Sequence, residues 1–134
     1  CVLIGAHCIK TWATTQGAVA LSSAEAEFYA MIEAVIRTKG LLSAMEEMGY
    51  PKGKSIRLYT DSSPAKSFVS RRGLEKMRHS EIRDLWLQRE VGLGKVIVMK
   101  VEGPKNPADL MTKYLTSKEI KERLQRMGIR VRWR

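Results

Sequence analysis

The chain has 134 residues, of which 44% are hydrophobic and 28% are charged, and its formal net charge is +10. This length and composition indicate one globular domain, and the lack of 18 consecutive apolar residues argues against a membrane span. No secretory signal is recognisable, so an intracellular, non-secreted protein is expected. The strongly basic balance favours a polyanionic partner such as nucleic acid.

The first residues predict a small antiparallel meander. Strands are expected over Val2–Ile4 and residues 8–12, and residues 18–21 are a candidate third strand. The chain opens on an apolar run at Cys1 rather than on a polar, frayed terminus, which suggests a fragment of a longer protein.

A long helix is predicted next. Ser22 and Ser23 carry hydroxyls that can accept the first helical N–H groups, and Glu25 stands where a capping box requires an acid. The helix is expected to run to about Gly49. Its first three turns are apolar nearly all round, which predicts burial on more than one side.

The rest of the chain alternates helices and strands. In chain order we first predict a strand over Ile56–Thr60 and a helix that is capped by Ser63, has Pro64 at its first helical position and closes at Gly73. A helix over residues 80–91 and a strand over residues 95–101 follow. Asn106 is expected to cap a short helix, and Thr116 or Ser117 to cap a last helix that stops at Gly128. Hairpin strands followed by such alternation imply a mixed sheet with helices packed on it.

Two of the three aspartates stand at informative places. Asp61 ends a predicted strand, where ligand sites of α/β sheets gather, although it also suits the start of the following helix. Asp109 lies in the first turn of a short helix, where a carboxylate is also favourable for the helix dipole alone.

Glu27 heads a stripe of mostly small apolar residues on the long helix, formed by Ala30, Met31 and Ala34. Such a stripe can bring a helix close to a sheet, where a carboxylate is costly unless it is paired or bound to a metal. The alternative is a satisfied acid in the first turn. If Glu27, Asp61 and Asp109 converge, their oxygens suit Mg²⁺ or Mn²⁺, and two such ions can promote phosphodiester hydrolysis.

Positive charge is concentrated at the end of the chain. Residues 118–134 contain seven basic and two acidic residues, and Arg130, Arg132 and Arg134 close the sequence. We expect these arginines to contact nucleic acid, and a solvated basic tail is the alternative.

Five segments, in order, resemble the ribonuclease H of copia-type retrotransposon polyproteins. They are residues 19–30 (VALSSAEAEFYA), 59–63 (YTDSS), 78–83 (RHSEIR), 89–96 (REVGLGKV) and 106–113 (NPADLMTK). The resemblance extends to about Leu115. It implies a ribonuclease H-like α/β fold, a mixed β-sheet flanked by helices, over residues 1–116, followed by a basic helix and tail over residues 117–134.

The resemblance also implies chemistry and partners. Glu27, Asp61 and Asp109 match three of the family's four metal ligands, which hold two Mg²⁺ or Mn²⁺ ions and hydrolyse the RNA strand of RNA–DNA hybrids. Hybrid contacts are expected from Ser22, Ser23 and Ser62 as well as from the terminal arginines. The reverse transcriptase portion of the same polyprotein would be a further partner, inside a retrotransposon particle and away from membranes.

Two departures from the family matter. The family's first strand carries the fourth ligand, an aspartate, and that strand would precede Cys1, so this chain alone is expected to be inactive or to cleave a hybrid far more slowly than a chain that contains that strand. A loop histidine of cellular relatives has no counterpart in residues 101–105. The alternatives are a non-catalytic nucleic-acid-binding remnant and a purely structural fragment, which would not prefer a hybrid over duplex DNA.

Overall fold

The computed structural model describes residues 1–17, 19–51, 53, 55–70 and 82–132. The fold is mixed α/β, as the sequence predicted. Its elements are β1 (Val2–Ile4), β2 (His7–Lys10), α1 (Ser23–Glu47), β3 (Ile56–Thr60), α2 (Ser63–Ser70), α3 (Ile82–Gly92), β4 (Val96–Lys100), two 3₁₀ turns (Gly103–Lys105 and Pro107–Met111) and α4 (Ser117–Arg126).

The chain divides into two compact units. Cys1–Thr15 and Val101–Arg134 form what we call the terminal unit, and Gln16–Lys100 form the central unit. In the part of the chain that the structure describes, no helix is long and apolar enough to span a membrane.

The central unit contains a parallel pair of strands, β3 and β4. Their register runs from Ile56 opposite Val96 to Thr60 opposite Lys100. Side chains alternate along β3, so Leu58 is buried while Tyr59 is exposed. The strands are connected through α2 and α3, the kind of crossover that a parallel pair requires.

Helix α1 supplies the largest part of the core of the central unit. Its buried residues are Phe28, Met31, Ile32 and Val35, whose spacing places them on one face of the helix. The ring of Phe28 packs edge-on against Phe68 of α2, with centroids 4.7 Å apart. Burying each such side chain contributes roughly 1.5–3 kcal/mol relative to leaving it in water.

An ion pair joins α1 to α3. Lys39 Nζ donates to Glu90 Oε2, and the Glu90 side chain is buried. The same ammonium lies 5.2 Å from the ring centre of Trp86, which adds a cation–π attraction. The aliphatic stem of Lys39 therefore spans the gap between two helices while its charge is neutralised.

The terminal unit contains the antiparallel hairpin β1–β2, the two 3₁₀ turns and α4. Thr116 begins α4 with a complete capping box, in which its hydroxyl and the Glu119 side chain satisfy each other's backbone N–H groups. Gly128 follows α4 with a positive φ of +70°, and it stops the helix as its position in the sequence predicted. The Cys8 N–H donates to the Met127 carbonyl at 3.0 Å, which fastens β2 to the end of α4.

Several sequence predictions were wrong in detail. Residues 19–21 form no strand, and Ala18, which completes that prediction, lies outside the described residues. The described strands form two-stranded sheets, one in each unit, rather than one mixed sheet. The cap of α2 is Ser62 rather than Ser63, because the Ser62 hydroxyl accepts the Ala65 N–H. The predicted helix end at Gly73 and the helix start at Ser80 lie outside the described residues.

Candidate functional site

Asp61 lies at the carboxyl end of β3, as predicted, and is half-buried. The backbone around it is held by two hydroxyls. Thr60 Oγ1 accepts the Ser62 N–H at 3.1 Å, and Ser62 Oγ accepts the Ala65 N–H at 3.2 Å. The strand therefore passes into α2 through a tight, hydrogen-bonded corner that fixes the backbone of Asp61.

Lys100 reaches the same corner from β4. Because β3 and β4 are parallel and Thr60 pairs with Lys100, the carboxyl ends of both strands meet at one edge. Lys100 Nζ donates to the Asp61 carbonyl at 2.6 Å and to Ser63 Oγ at 2.5 Å. This edge, which we call the strand-end site, thus combines a carboxylate, an ammonium and hydroxyls.

The sequence analysis missed Lys100. Its position one residue before the end of the predicted strand 95–101 was a usable signal, because ligand sites gather at strand carboxyl ends. Its proximity to Asp61 depended on the pairing of β3 with β4, two strands that are nearly forty residues apart in the chain.

Glu27 is exposed, in the first turns of α1. Of the stripe that Glu27 heads, Met31 is buried in the core and Ala34 packs against it, whereas Ala30 is exposed, so Glu27 lies at the exposed edge of the packed face. Glu27 and Asp61 both belong to the central unit.

The neighbouring Glu25 has the capping role predicted for it. Ser22 Oγ accepts the Glu25 N–H at 3.1 Å, and the Glu25 carboxylate accepts the Leu21 N–H at 2.7 Å and the Tyr29 hydroxyl at 2.8 Å. The bond from Leu21 and then that from Tyr29 lower the pKa of Glu25. Ser23 is exposed at the first position of the helix.

Asp109 is buried in the terminal unit, with 6% of its surface exposed. Its Oδ1 lies 3.0 Å from Lys113 Nζ, and its Oδ2 lies 3.9 Å from Arg123 Nη2. Arg123 is itself 3% exposed, and it also donates to the carbonyls of Asn106 and Glu119. The Asp109 carboxylate thus neutralises a buried guanidinium, and Asn106 Oδ1 caps its 3₁₀ turn as predicted.

The donor set suits a hard cation, because all three predicted ligands are carboxylates. Among residues 1–17, 19–51, 53, 55–70 and 82–132, no group of three His, Cys, Asp or Glu residues is arranged to hold a metal ion. Glu27 and Asp61 lie in one unit and Asp109 in the other, so their convergence stays a prediction. The segment 78–81 and the side chain of Asp84 lie outside the described residues.

The predicted nucleic-acid contacts at the end of the chain are accessible. Arg130 and Arg132 are exposed, whereas Arg134 lies outside the described residues. Lys118, Lys121 and Arg126 of α4 are also exposed, so the basic surface that we expected extends along this helix.

No family model matches the chain, and no solved structure matches it at a significant level. Any assignment of function therefore depends on the motif segments and on the geometry described above.

Proposed function

We propose that the chain is a ribonuclease H-like domain of a copia-type retrotransposon polyprotein and acts on the RNA strand of RNA–DNA hybrids. The observation that carries the proposal is the strand-end site. Asp61, which lies in one of the five resembling segments, follows a strand in which Leu58 and Thr60 are buried, at the edge where two parallel strands end. On this proposal the protein works intracellularly, beside the reverse transcriptase portion of the same polyprotein.

Among the described residues, Lys100 lies where it would contact a phosphodiester at this edge. Its ammonium now donates to the Asp61 carbonyl and to the Ser63 hydroxyl, neither of which is charged. A phosphate oxygen is a stronger acceptor because the bond to it is assisted by charge on both groups. Ser62 lies at the same corner, where its hydroxyl oxygen accepts the Ala65 N–H, and its O–H group would donate to a phosphate oxygen of the hybrid.

Glu27, Asp61 and Asp109 would hold two Mg²⁺ or Mn²⁺ ions, as the resemblance implies. When bound, such ions supply an activated water and stabilise the charge that develops on the phosphate. For Asp109 to serve, its carboxylate must keep free oxygen lone pairs beside Lys113 and Arg123. A carboxylate has about four acceptor positions, so two cationic neighbours do not saturate it.

The same surroundings of Asp109 favour a second candidate function, a non-catalytic nucleic-acid-binding domain. A carboxylate that neutralises a buried arginine has a structural reason to be present without any metal. The net charge of +10 supports binding in either case.

The experiment uses one labelled sequence as RNA–DNA hybrid, duplex DNA and single-stranded RNA. The proposal predicts tighter binding of the hybrid than of duplex DNA, and slow cleavage of its RNA strand that requires Mg²⁺ or Mn²⁺. Asp61→Asn should abolish the cleavage, and Lys100→Gln should weaken hybrid binding. Lys95→Gln is the matched control, because Lys95 is exposed at the opposite end of β4 and should change neither.

The outcomes separate the two candidate functions. Hybrid-selective binding without cleavage under any divalent ion would overturn hydrolysis by this chain and favour the binding domain. Equal affinity for hybrid and duplex DNA would contradict both, because it would leave only general attraction to phosphates.

A further inference from the structure

The terminal unit contains a groove of about 840 Å³ between the β1–β2 turn, α4 and the extended chain that follows α4. We call it the terminal groove. Its polar lining consists of His7, Lys121, Gln125 and Arg130, and its apolar lining includes Leu124. None of these residues except Arg130 was singled out in the sequence as a binding residue.

The groove is built by the local geometry around Gly128. Lys121, Gln125 and Gly128 are four and three residues apart, so they lie along one face of the α4 segment. A Cβ atom on Gly128 would lie 2.5 Å from the Ala6 carbonyl oxygen, so only glycine allows the hairpin turn to approach this closely. The bond from Cys8 to Met127 holds the hairpin in that position.

Several polar groups of the terminal groove are available to a ligand. Among the residues that the structure describes, the side chains of His7, Gln125 and Arg130 take part in no hydrogen bond or ion pair. All three are exposed. They offer a guanidinium, an amide and an imidazole to whatever enters from solvent.

The charge around the groove selects an anion. Lys121 and Arg130 line it, and Lys118 and Arg132 are exposed on the same helix and tail. Asp109 is paired with Arg123, Glu119 caps α4 through Thr116, and Glu122 is exposed, but none of these acids lines the groove. A positively charged groove can follow the phosphates of a single nucleic-acid strand, and Lys121 and Arg130 supply that charge here.

We propose that the terminal groove binds a single strand of nucleic acid, with Lys121 and Arg130 contacting its phosphates. Its volume lies in the range of about 300–1,000 Å³ typical of small-molecule pockets, which suits a short stretch of one strand and is too small to enclose a duplex. This binding site uses none of Glu27, Asp61 and Asp109, so it exists whether or not the chain hydrolyses hybrids.

The test measures fluorescence anisotropy of a labelled single-stranded RNA and of a duplex DNA of equal length, over a range of salt concentrations. The double variant Lys121→Gln with Arg130→Gln removes two phosphate contacts. For a single strand the slope of log K against log salt should become shallower by about 1.4, since each contact contributes about 0.7. When the affinities of the variant and the wild-type chain are equal at 1 M salt, this difference in slope makes the variant bind roughly 25-fold more weakly at 0.1 M salt.

The matched control is Arg57→Gln with Lys95→Gln, two exposed cations of the central unit. It removes the same charge from exposed positions that do not line the groove, so it should change the slope by much less. Gln125→Glu adds a carboxylate inside the groove and should weaken single-strand binding without removing a cation. Circular dichroism and the urea midpoint should be unchanged in all of these variants, because every altered side chain is exposed.

Equal losses in the groove variant and in the control would overturn the proposal, because binding would then follow net charge alone. A groove variant that loses duplex binding as steeply as single-strand binding would also overturn it. Neither result bears on cleavage at the strand-end site, since the assay reads binding only.

Discussion

Replacing Asp109 by asparagine tests whether the carboxylate has a structural role in the terminal unit. The substitution keeps the size of the side chain and removes its charge. Arg123, which is 3% exposed, would keep the carbonyls of Asn106 and Glu119 as acceptors but lose its anion. We therefore expect Asp109→Asn to destabilise the fold even when no divalent ion is present.

The magnitude follows from the burial and the distance. Two unit charges 4 Å apart attract by about 4 kcal/mol at an effective dielectric constant of 20, and the Nη2–Oδ2 distance is 3.9 Å. Neutralising the carboxylate also removes its own desolvation penalty, and Lys113 contributes little because it is more than half exposed. We expect the free energy of unfolding to fall by about 2 kcal/mol, which is less than the roughly 3–5 kcal/mol lost when one partner of a tightly paired buried ion pair is removed.

Urea unfolding of the wild-type chain, Asp109→Asn, Arg123→Met and the double variant measures this coupling. The free energy of unfolding lost in the double variant should be smaller, by at least about 1 kcal/mol, than the sum of the losses in the two single variants. Either substitution alone already breaks the ion pair. Additive losses, or a loss below about 0.5 kcal/mol in Asp109→Asn, would refute the structural role. Repeating the series with Mg²⁺ measures whether the ion binds the folded chain, since an ion that binds only the folded state raises the free energy of unfolding.

Leu87→Ala should cost about 2–5 kcal/mol in urea unfolding, because Leu87 is fully buried in the core of the central unit; a loss near zero would mean that the site is solvent-accessible. Thr116→Ala should cost about 1 kcal/mol, seen as faster hydrogen exchange in α4. The side-chain and backbone hydrogen bonds from Thr116 lower the pKa of Glu119 below its ordinary 4.5. This stabilisation is fully present above about pH 4.5 and is lost as the pH falls through the lowered pKa, so α4 exchange should accelerate in acid, and Glu119→Ala should remove that dependence. Gly128→Ala should cost at least about 1 kcal/mol from its positive φ alone, and a neutral effect would contradict the close approach of the hairpin.

Local signals in the sequence predicted the helix ends well. Ser22 and Thr116 cap their helices and Gly128 terminates the last one, because each of these roles is decided by hydrogen bonds within about four residues. The strand Ile56–Thr60 was predicted to the residue, since turn-forming residues bound a run with apolar and β-branched side chains.

Predictions that depended on distant parts of the chain fared less well. The first turns of α1 are apolar nearly all round, so the sequence did not indicate that the packed face starts at Phe28 and leaves Glu27 exposed. The pairing that brings Lys100 to Asp61 is between strands far apart in sequence. The guanidinium partner of Asp109, Arg123, also comes from a different helix, and no local sequence pattern predicts this contact.

The most direct test of the proposed ribonuclease H-like site is a Mn²⁺ titration of the ¹⁵N-labelled chain, followed by paramagnetic broadening of its amide signals. The proposal predicts that substoichiometric Mn²⁺ broadens the amides of Glu27, Asp61 and Asp109 first, and that Asp61→Asn removes this preference while Glu46→Gln, at an exposed acid elsewhere on α1, does not. Broadening spread evenly over exposed acids, or unchanged by Asp61→Asn, would contradict it.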